Sequence, residues 1–287
     1  MEISESRQET VGRMRVRRAL PRRGRRTVGA WCFADHMGPA DVTENTGLDV
    51  GPHPHMGLHT VTWLLDGQAL HKDSLGSEQV IRPGQMNLMT AGRGVAHAEE
   101  ATGHYSGTLE GIQLWVAQPE ATRHGDATFE HHAQLPQVEL DGAVATVLIG
   151  ELTGARSSAR SDTELTGVDL DLHASTIVPL QREFEHAVVV LRGAIEIAGE
   201  PVTPGHLVYL EPGLDQVDLT VGEAARAMLL GGVPFESPIE MWWNFVGRSR
   251  DELAEAFRSW DTDDGRFGRV QSSLPRIPTR APFWLES

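Results

Sequence analysis

The sequence predicts an all-β protein built from two small barrels in tandem, with one short helix near the C-terminus. Three observations carry that expectation. Residues 28 to 118 are a succession of short apolar stretches, VGAWCF, TVTWLLDG, QVIRPG, QMNLMTAG and GIQLWVAQP, broken by Gly and Pro at strand-and-turn spacing. The pattern then returns: HTVTWLLDG ending at Gly67 matches EHAVVVLRG ending at Gly193, and PGQMNLMTAG from Pro83 matches PGHLVYLEPG from Pro204. One segment alone reads clearly as a helix.

Taken in order, the chain begins with RMRVRRALPRRGRR, in which eight arginines fall between Arg13 and Arg26. Two readings compete: a patch for nucleic acid or another acidic partner, and a solvated strand edge whose arginines pair with the chain's own carboxylates. The second is favoured, because Lys plus Arg is 25 against 40 Asp plus Glu, a net charge of −15 that opposes non-specific attraction to nucleic acid. The first β module follows. From Pro119 to Leu140 the chain turns polar and reads as a connector with little core, in which His131 and His132, adjacent on an extended segment, face opposite ways.

The second β module comes next, which places two domains at 1–138, with the connector, and 139–287. Near the end, Ser249 and Glu252 form a capping-box pattern, and Leu253, Ala256, Phe257 and Trp260 follow at i, i+3, i+4 and i+7, the stripe of a helix packed on a barrel exterior. The tail TRAPFWLES is expected to pack by its aromatics.

At 287 residues the chain is long enough for a substantial core, and Cys32 is its only cysteine, so no intrachain disulfide forms. There is no 18-residue apolar run and no N-terminal pattern of charge followed by an apolar stretch, so no membrane association is expected and the cytoplasm is the default location.

The chemistry is concentrated in two couplets, His53-Pro54-His55 and His97-Ala98-Glu99. Side chains two apart on a strand point to one face, so each couplet presents both members to the same side. If the two strands face each other, three imidazoles and one carboxylate converge. Such a set suits a divalent transition metal and leaves about two positions of a six-coordinate ion open. Thirteen histidines make a chance His-x-His unsurprising; the second couplet and its strand context are what change the odds. An ungapped alignment of the two modules puts Pro179 and Gln181 opposite His53 and His55, and Asp218 and Thr220 opposite His97 and Glu99, so one metal per chain is expected, in the first module.

The stretches RTVGAWCFADHMGP, HPHMGLHTVTWLLDGQALHKDSLGSEQVIRPG and, most specifically, QMNLMTAGRGVAHAEE closely resemble the pirin family of the cupin superfamily, and the second module with LLGGVPFESPIEMWWNFVG fits the same layout. The resemblance implies two cupin barrels, each a double-stranded β-helix, with one metal, usually iron, in the N-terminal one. It places the ligands on His53, His55, His97 and Glu99, the residues that spacing had already selected. Pirins commonly follow His-Pro-His with Arg-Gly-Phe-Glu, where this chain has Met56-Gly57-Leu58-His59; loss of the arginine at Met56 removes an anchor for an anionic substrate.

His59 shares parity with His53 and His55 if the strand is continuous, and occupies a position where many cupins place a ligating glutamate. It is either a fifth ligand or, preferred, an imidazole that orients a ligand or substrate by hydrogen bonding. The resemblance also places Gln113 near the metal, where it would bond water or substrate. Asp35 and His36 match the family without a derivable role.

The expected function is that of an Fe(II)-binding bicupin, with Ni, Mn, Cu or Zn chemically possible, acting as a dioxygenase of the quercetinase type on a flavonol or related phenolic, with Glu99 as catalytic base. The alternative is a metal- and redox-dependent regulator that binds a protein partner. Direct nucleic-acid binding is not expected.

Overall fold

The computed structural model describes residues 1–285, so Glu286 and Ser287, the last two residues of the tail TRAPFWLES, lie outside the described residues. Among the described residues the regular structure is almost entirely antiparallel strand, with one α-helix, Arg250–Thr262, and a single 3-10 turn at Phe283–Leu285.

By their internal packing the residues group into two units that interleave in sequence. One comprises residues 10–16, 37–131 and 236–287; the other comprises 1–9, 17–36 and 132–235. The terminal segments depart most from the linear reading. Strand Glu2–Glu5 adds to the edge of the second unit's sheet by pairing with His206–Leu210, and the helix belongs to the first unit. The reason is physical: a short polar strand supplies backbone hydrogen bonds wherever a sheet edge is open, and its own sequence does not say which edge.

In the first unit, strands run in the order Thr128–His132, Met86–Thr90, Leu58–Asp66 and Gly107–Ala117. A four-stranded sheet, Val50–His55, Val95–Glu100, Ala69–Asp73 and Glu78–Ile81, completes the barrel. Its interior packs Met14, Val16, Met37, Leu48, Val50, Leu64, Ile81 and Leu109. The stretch read as a coreless connector contains two strands: Thr128–His132 at the edge of this sheet, where half-buried His131 bonds Asn87 at 2.7 Å, and Gln137–Leu140 at the edge of the other unit's sheet.

The second unit repeats the plan. Glu185–Arg192 lies between His206–Leu210 and Ala225–Gly232, as Leu58–Asp66 lies between Met86–Thr90 and Gly107–Ala117. The aligned pairs even share a register: Thr60 faces Met89, and their counterparts His186 and Leu210 face each other. The smaller sheet is reduced to Thr176–Pro179 paired with Gln216–Leu219, and there the ungapped alignment slips. Pro179, Gln181, Asp218 and Thr220 are all exposed, and the inward side chains are Thr176, Val178, Val217 and Leu219. A loop-length change of one residue moves every side chain of a strand to its other face. The second barrel still lacks a ligand set, but because Val178 and Val217 fill its interior.

Ser249 caps the helix by accepting from the Glu252 N–H at 3.3 Å, and the Glu252 carboxylate reaches back to the Arg248 N–H at 2.8 Å. Leu253, Ala256 and Trp260 are buried against Met56, Ala96, Phe245 and Phe267, on the outer face of the strands that carry the histidines. Phe283 and Trp284 stack edge-on with Trp242 and with each other, as the tail's aromatics suggested.

The arginine-rich stretch finds partners within the chain. Arg18 makes a bidentate pair with Asp35, Arg22 and Arg25 meet Glu2, Arg13 meets Asp49, and the Arg17 guanidinium lies 3.3 Å from the His36 ring.

Candidate metal centre

Two antiparallel strands build the site. In the ladder between Val50–His55 and Val95–Glu100, His97 stands opposite His53 and Val95 opposite His55. Facing residues share a side of the sheet, so all three imidazoles point into the barrel, where their ring centroids lie 4.3 to 5.1 Å apart. One donor atom from each of His53, His55 and His97 lies within 4.8 Å of the other two, and His55 Nε2 approaches His97 Nε2 at 3.1 Å.

All three rings are buried, and burial dominates their acid–base behaviour. It lowers His53 to about 4, against the opposing hydrogen bond from its Nδ1 to the Gly51 carbonyl at 2.9 Å. His55 and His97 are held well below the ordinary imidazole value by burial, then by the neighbouring histidines. The rings are therefore neutral at physiological pH, with lone pairs available. Glu99 is 8% exposed, and burial pushes its carboxyl up to about 7. It shares the His97 face of its strand, two residues beyond; the partner strand carries an extra residue there, so Glu99 faces Val50. The tight group of donor atoms comprises the three histidines and does not include the Glu99 carboxylate.

Strand Gly107–Ala117 supplies the adjoining wall. Trp115 stands edge-on to His55 at 5.0 Å, and Gln113, two residues before it on the same face, accepts from the Thr62 hydroxyl at 2.9 Å. That bond leaves the buried Gln113 Nε2 without a protein partner. An orphaned donor on the wall that brings Trp115 against His55, together with the clustered imidazole nitrogens, fits a site built to hold a cation and a polar ligand.

Two residues expected at the site are placed elsewhere. His59 lies on the face of Leu58–Asp66 opposite to Thr60 and Thr62, which are paired with Trp115 and Gln113; its Nδ1 bonds Thr90 Oγ1 at 2.8 Å. Met56 sits in the apolar cluster beneath the helix, with the Arg266 guanidinium 2.8 Å from its sulfur. Met56, next to His55, faces away by strand alternation; for His59 the cause is Gly57, at φ +71°, where a Cβ would come within 2.2 Å of the Val246 carbonyl oxygen. This turn ends one strand and starts another, so the parity that joins His53 to His55 does not extend to His59. A side chain at position 56 faces the helix, so an arginine there would not anchor an anionic substrate beside the histidines.

Sequence reasoning also passed over His71 and Asp73, both buried. His71 lies with its Nδ1 3.4 Å from His97 Nδ1 and its Nε2 3.1 Å from Asp73 Oδ2, and stacks on Phe129 at 4.4 Å between ring centroids. The signal was legible, since His71-Lys72-Asp73 is a third same-parity couplet.

The family model described as Pirin matches residues 13–116, and that described as Pirin C-terminal cupin domain matches residues 166–268. A Pseudomonas aeruginosa protein named "Putative quercetin 2,3-dioxygenase" is 46% identical over 278 residues, covering 94% of this chain and 88% of the relative. A Caulobacter vibrioides pirin-like protein is 36% identical over 281 residues, 92% of this chain and 97% of its own length. The crystal structure of a quercetin 2,3-dioxygenase from Acinetobacter baumannii superposes with a TM-score of 0.94 at 42% identity, covering 98% of this chain and 95% of that one. Among the described residues, no helix is long and apolar enough to cross a membrane.

Proposed function

The chain belongs to the pirin family of cupins, and we propose that it is a metal-dependent dioxygenase of the quercetinase type, holding one Fe(II) in its first barrel and acting on a flavonol or related small phenolic in the cytoplasm. The observation that carries this reading is the cluster of three buried imidazoles whose donor atoms lie within 4.8 Å of one another, with the buried Glu99 two residues beyond His97 on the same strand. The names of the relatives at 46% and 42% identity support the same chemistry.

His53, His55 and His97 would hold the metal through their mutually facing nitrogens, with Glu99 as the fourth, looser donor. When bound, the metal supplies Lewis acidity and open coordination positions for substrate and dioxygen. The protein's own groups do the rest. Glu99, poised near neutrality, accepts the phenolic proton, for which a matched acid constant is the efficient choice. The free Gln113 N–H donates to a substrate oxygen, and the Thr62 hydroxyl fixes the amide in that orientation. Trp115 gives the aromatic substrate an apolar wall.

The test is oxygen uptake by protein reconstituted anaerobically with Fe(II) and then given quercetin in air, beside a metal-free control. Turnover in the loaded sample is expected, and Glu99→Gln is expected to lower it by about 10²- to 10⁴-fold while substrate binding changes far less. A metal-replete sample that consumes no oxygen across a broad panel of phenols and enediols would overturn the enzymatic reading.

A further inference from the structure

Each histidine of the centre finds a different arrangement for the nitrogen that faces away from the cluster. His53 Nδ1 bonds the Gly51 carbonyl, and His55 Nδ1 is buried without a well-formed partner. His97 Nδ1 meets His71, and behind His71 stands Asp73. Strand Ala69–Asp73 lies against Val95–Glu100 with His97 opposite Asp73 and Glu99 opposite His71, so the two additional groups are held by the same ladder that positions the cluster.

The direction of hydrogen bonding along this row follows from proton counting. Asp73 accepts N–H bonds from Leu75 and Ser77 on Oδ1, both at 2.9 Å. Burial pushes its carboxyl up, but hydrogen bonds from His71 and from the Ser77 backbone outweigh that and hold it below the usual carboxylate value. An ionised carboxylate only accepts, so His71 donates to it from Nε2. With its Nε2 proton given to Asp73, His71 presents Nδ1 as the acceptor for a proton on His97 Nδ1. That leaves the His97 Nε2 lone pair facing His55 and His53, where a metal ligand must present one. A single proton on each ring satisfies every contact, and stacking of His71 on Phe129, with an interplanar angle of 15°, fixes its rotation.

We propose that Asp73 and His71 are positioning residues that set the tautomer and orientation of His97 and so raise the metal affinity of the centre. This rests on reading His53, His55 and His97 as the ligand set. Carboxylates and other acceptors behind a ligating histidine act in this way, and their loss lowers metal affinity by about 10- to 100-fold.

The experiment uses the full chain labelled with ¹⁵N, free of metal, in which long-range ¹H–¹⁵N correlations separate protonated from lone-pair ring nitrogens. The expected pattern is N–H at Nδ1 of His97 and at Nε2 of His71. In Asp73→Asn the amide can donate to His71 Nε2, reversing the row and leaving His97 protonated at Nε2. Titration with Zn(II) against a competing chelator should then show the 10- to 100-fold loss.

His71→Leu should weaken binding similarly, whereas His71→Gln, whose amide oxygen can accept from His97, should recover most of it. A merely structural role would alter thermal stability without changing the His97 tautomer or separating these two variants. His97 protonated at Nε2 in the wild type, or unchanged affinity in both Asp73→Asn and His71→Leu, would overturn the proposal. The wild-type measurement needs no variant to fold. Wild-type protein that shows the expected tautomers but takes up no Zn(II) would refute the ligand assignment while leaving the hydrogen-bond row intact.

Discussion

The two barrels share strand order and register, yet their interiors differ at the same place. Where the first barrel turns His53 and His97 inward, the second turns Val178 and Val217 inward and closes on an aliphatic core that includes Val168, Leu170, Val188 and Leu229. Burying polar groups costs free energy unless they find partners, and the first barrel buries four imidazoles, the carboxyls of Asp73 and Glu99 and the Gln113 amide in one region. The second barrel shows that the fold itself does not require this. The polar interior of the first is therefore the departure that function explains, and the comparison separates the residues that serve a ligand from those that serve the barrel.

That separation can be broken most decisively by removing ligands. His53→Ala/His97→Ala is expected to reduce bound metal from about one equivalent per chain to none, since two of three strong donors are lost. Elemental analysis showing about one equivalent in the double variant would move the metal elsewhere, the second barrel included.

The opposite manipulation is Leu170→Ala in the second barrel, where the side chain is fully buried. It should cost about 2–5 kcal/mol of stability as a cavity opens. Metal content should stay unchanged, and calorimetry with metal analysis of the folded fraction checks both. Loss of metal from folded protein would show that the barrels are not functionally separate.

A smaller effect distinguishes the two interiors by pH. In metal-free protein Glu99 is raised from 4.5 to about 7, so between those values the folded state holds the extra proton; its contribution is fully present below 4.5 and lost as pH rises through 7. His53, lowered from 6.5 to about 4, acts oppositely: its contribution is present above 6.5 and lost as pH falls through 4. His55 and His97 act in the same direction as His53, and all three contributions cancel in a comparison with Glu99→Gln, so the stability of metal-free wild type relative to that variant should fall as pH rises from 5 to 8, which denaturation at a series of pH values checks. If Glu99 also binds the metal, uptake at pH 6 should release close to one proton per site and uptake at pH 8 close to none, measurable by titration calorimetry in buffers of different ionisation enthalpy.

The smallest effect on the metal is expected at His59. Because it faces away from the cluster and is buried against Thr90, His59→Ala should leave metal affinity unchanged and lower stability by about 2–4 kcal/mol as a cavity opens and Thr90 loses its partner. Loss of metal on that substitution would show that the turn at Gly57 does not reset the strand as described.

The sequence alone determined the features that are local to one strand. The His-x-His and His-x-Glu couplets needed only the two-residue period of β structure, the helix needed its cap and stripe, and the duplication could be read from matched segments whose registers agree. Tertiary structure decided what passes through turns and between strands. Gly57 bends the chain from one sheet into another, so His59 leaves the face that carries His55, while Met56, next to His55, faces the helix by ordinary alternation. Sheet order sets Ala69–Asp73 beside Val95–Glu100, which brings His71 and Asp73 behind His97 although about two dozen residues separate them in sequence. Open sheet edges drew Glu2–Glu5 and the connector strands to their partners. The physical reason is common to all three: side-chain alternation is a property of continuous extended backbone, whereas the neighbour of a strand is chosen by hydrogen-bonding edges and packing that no single segment encodes.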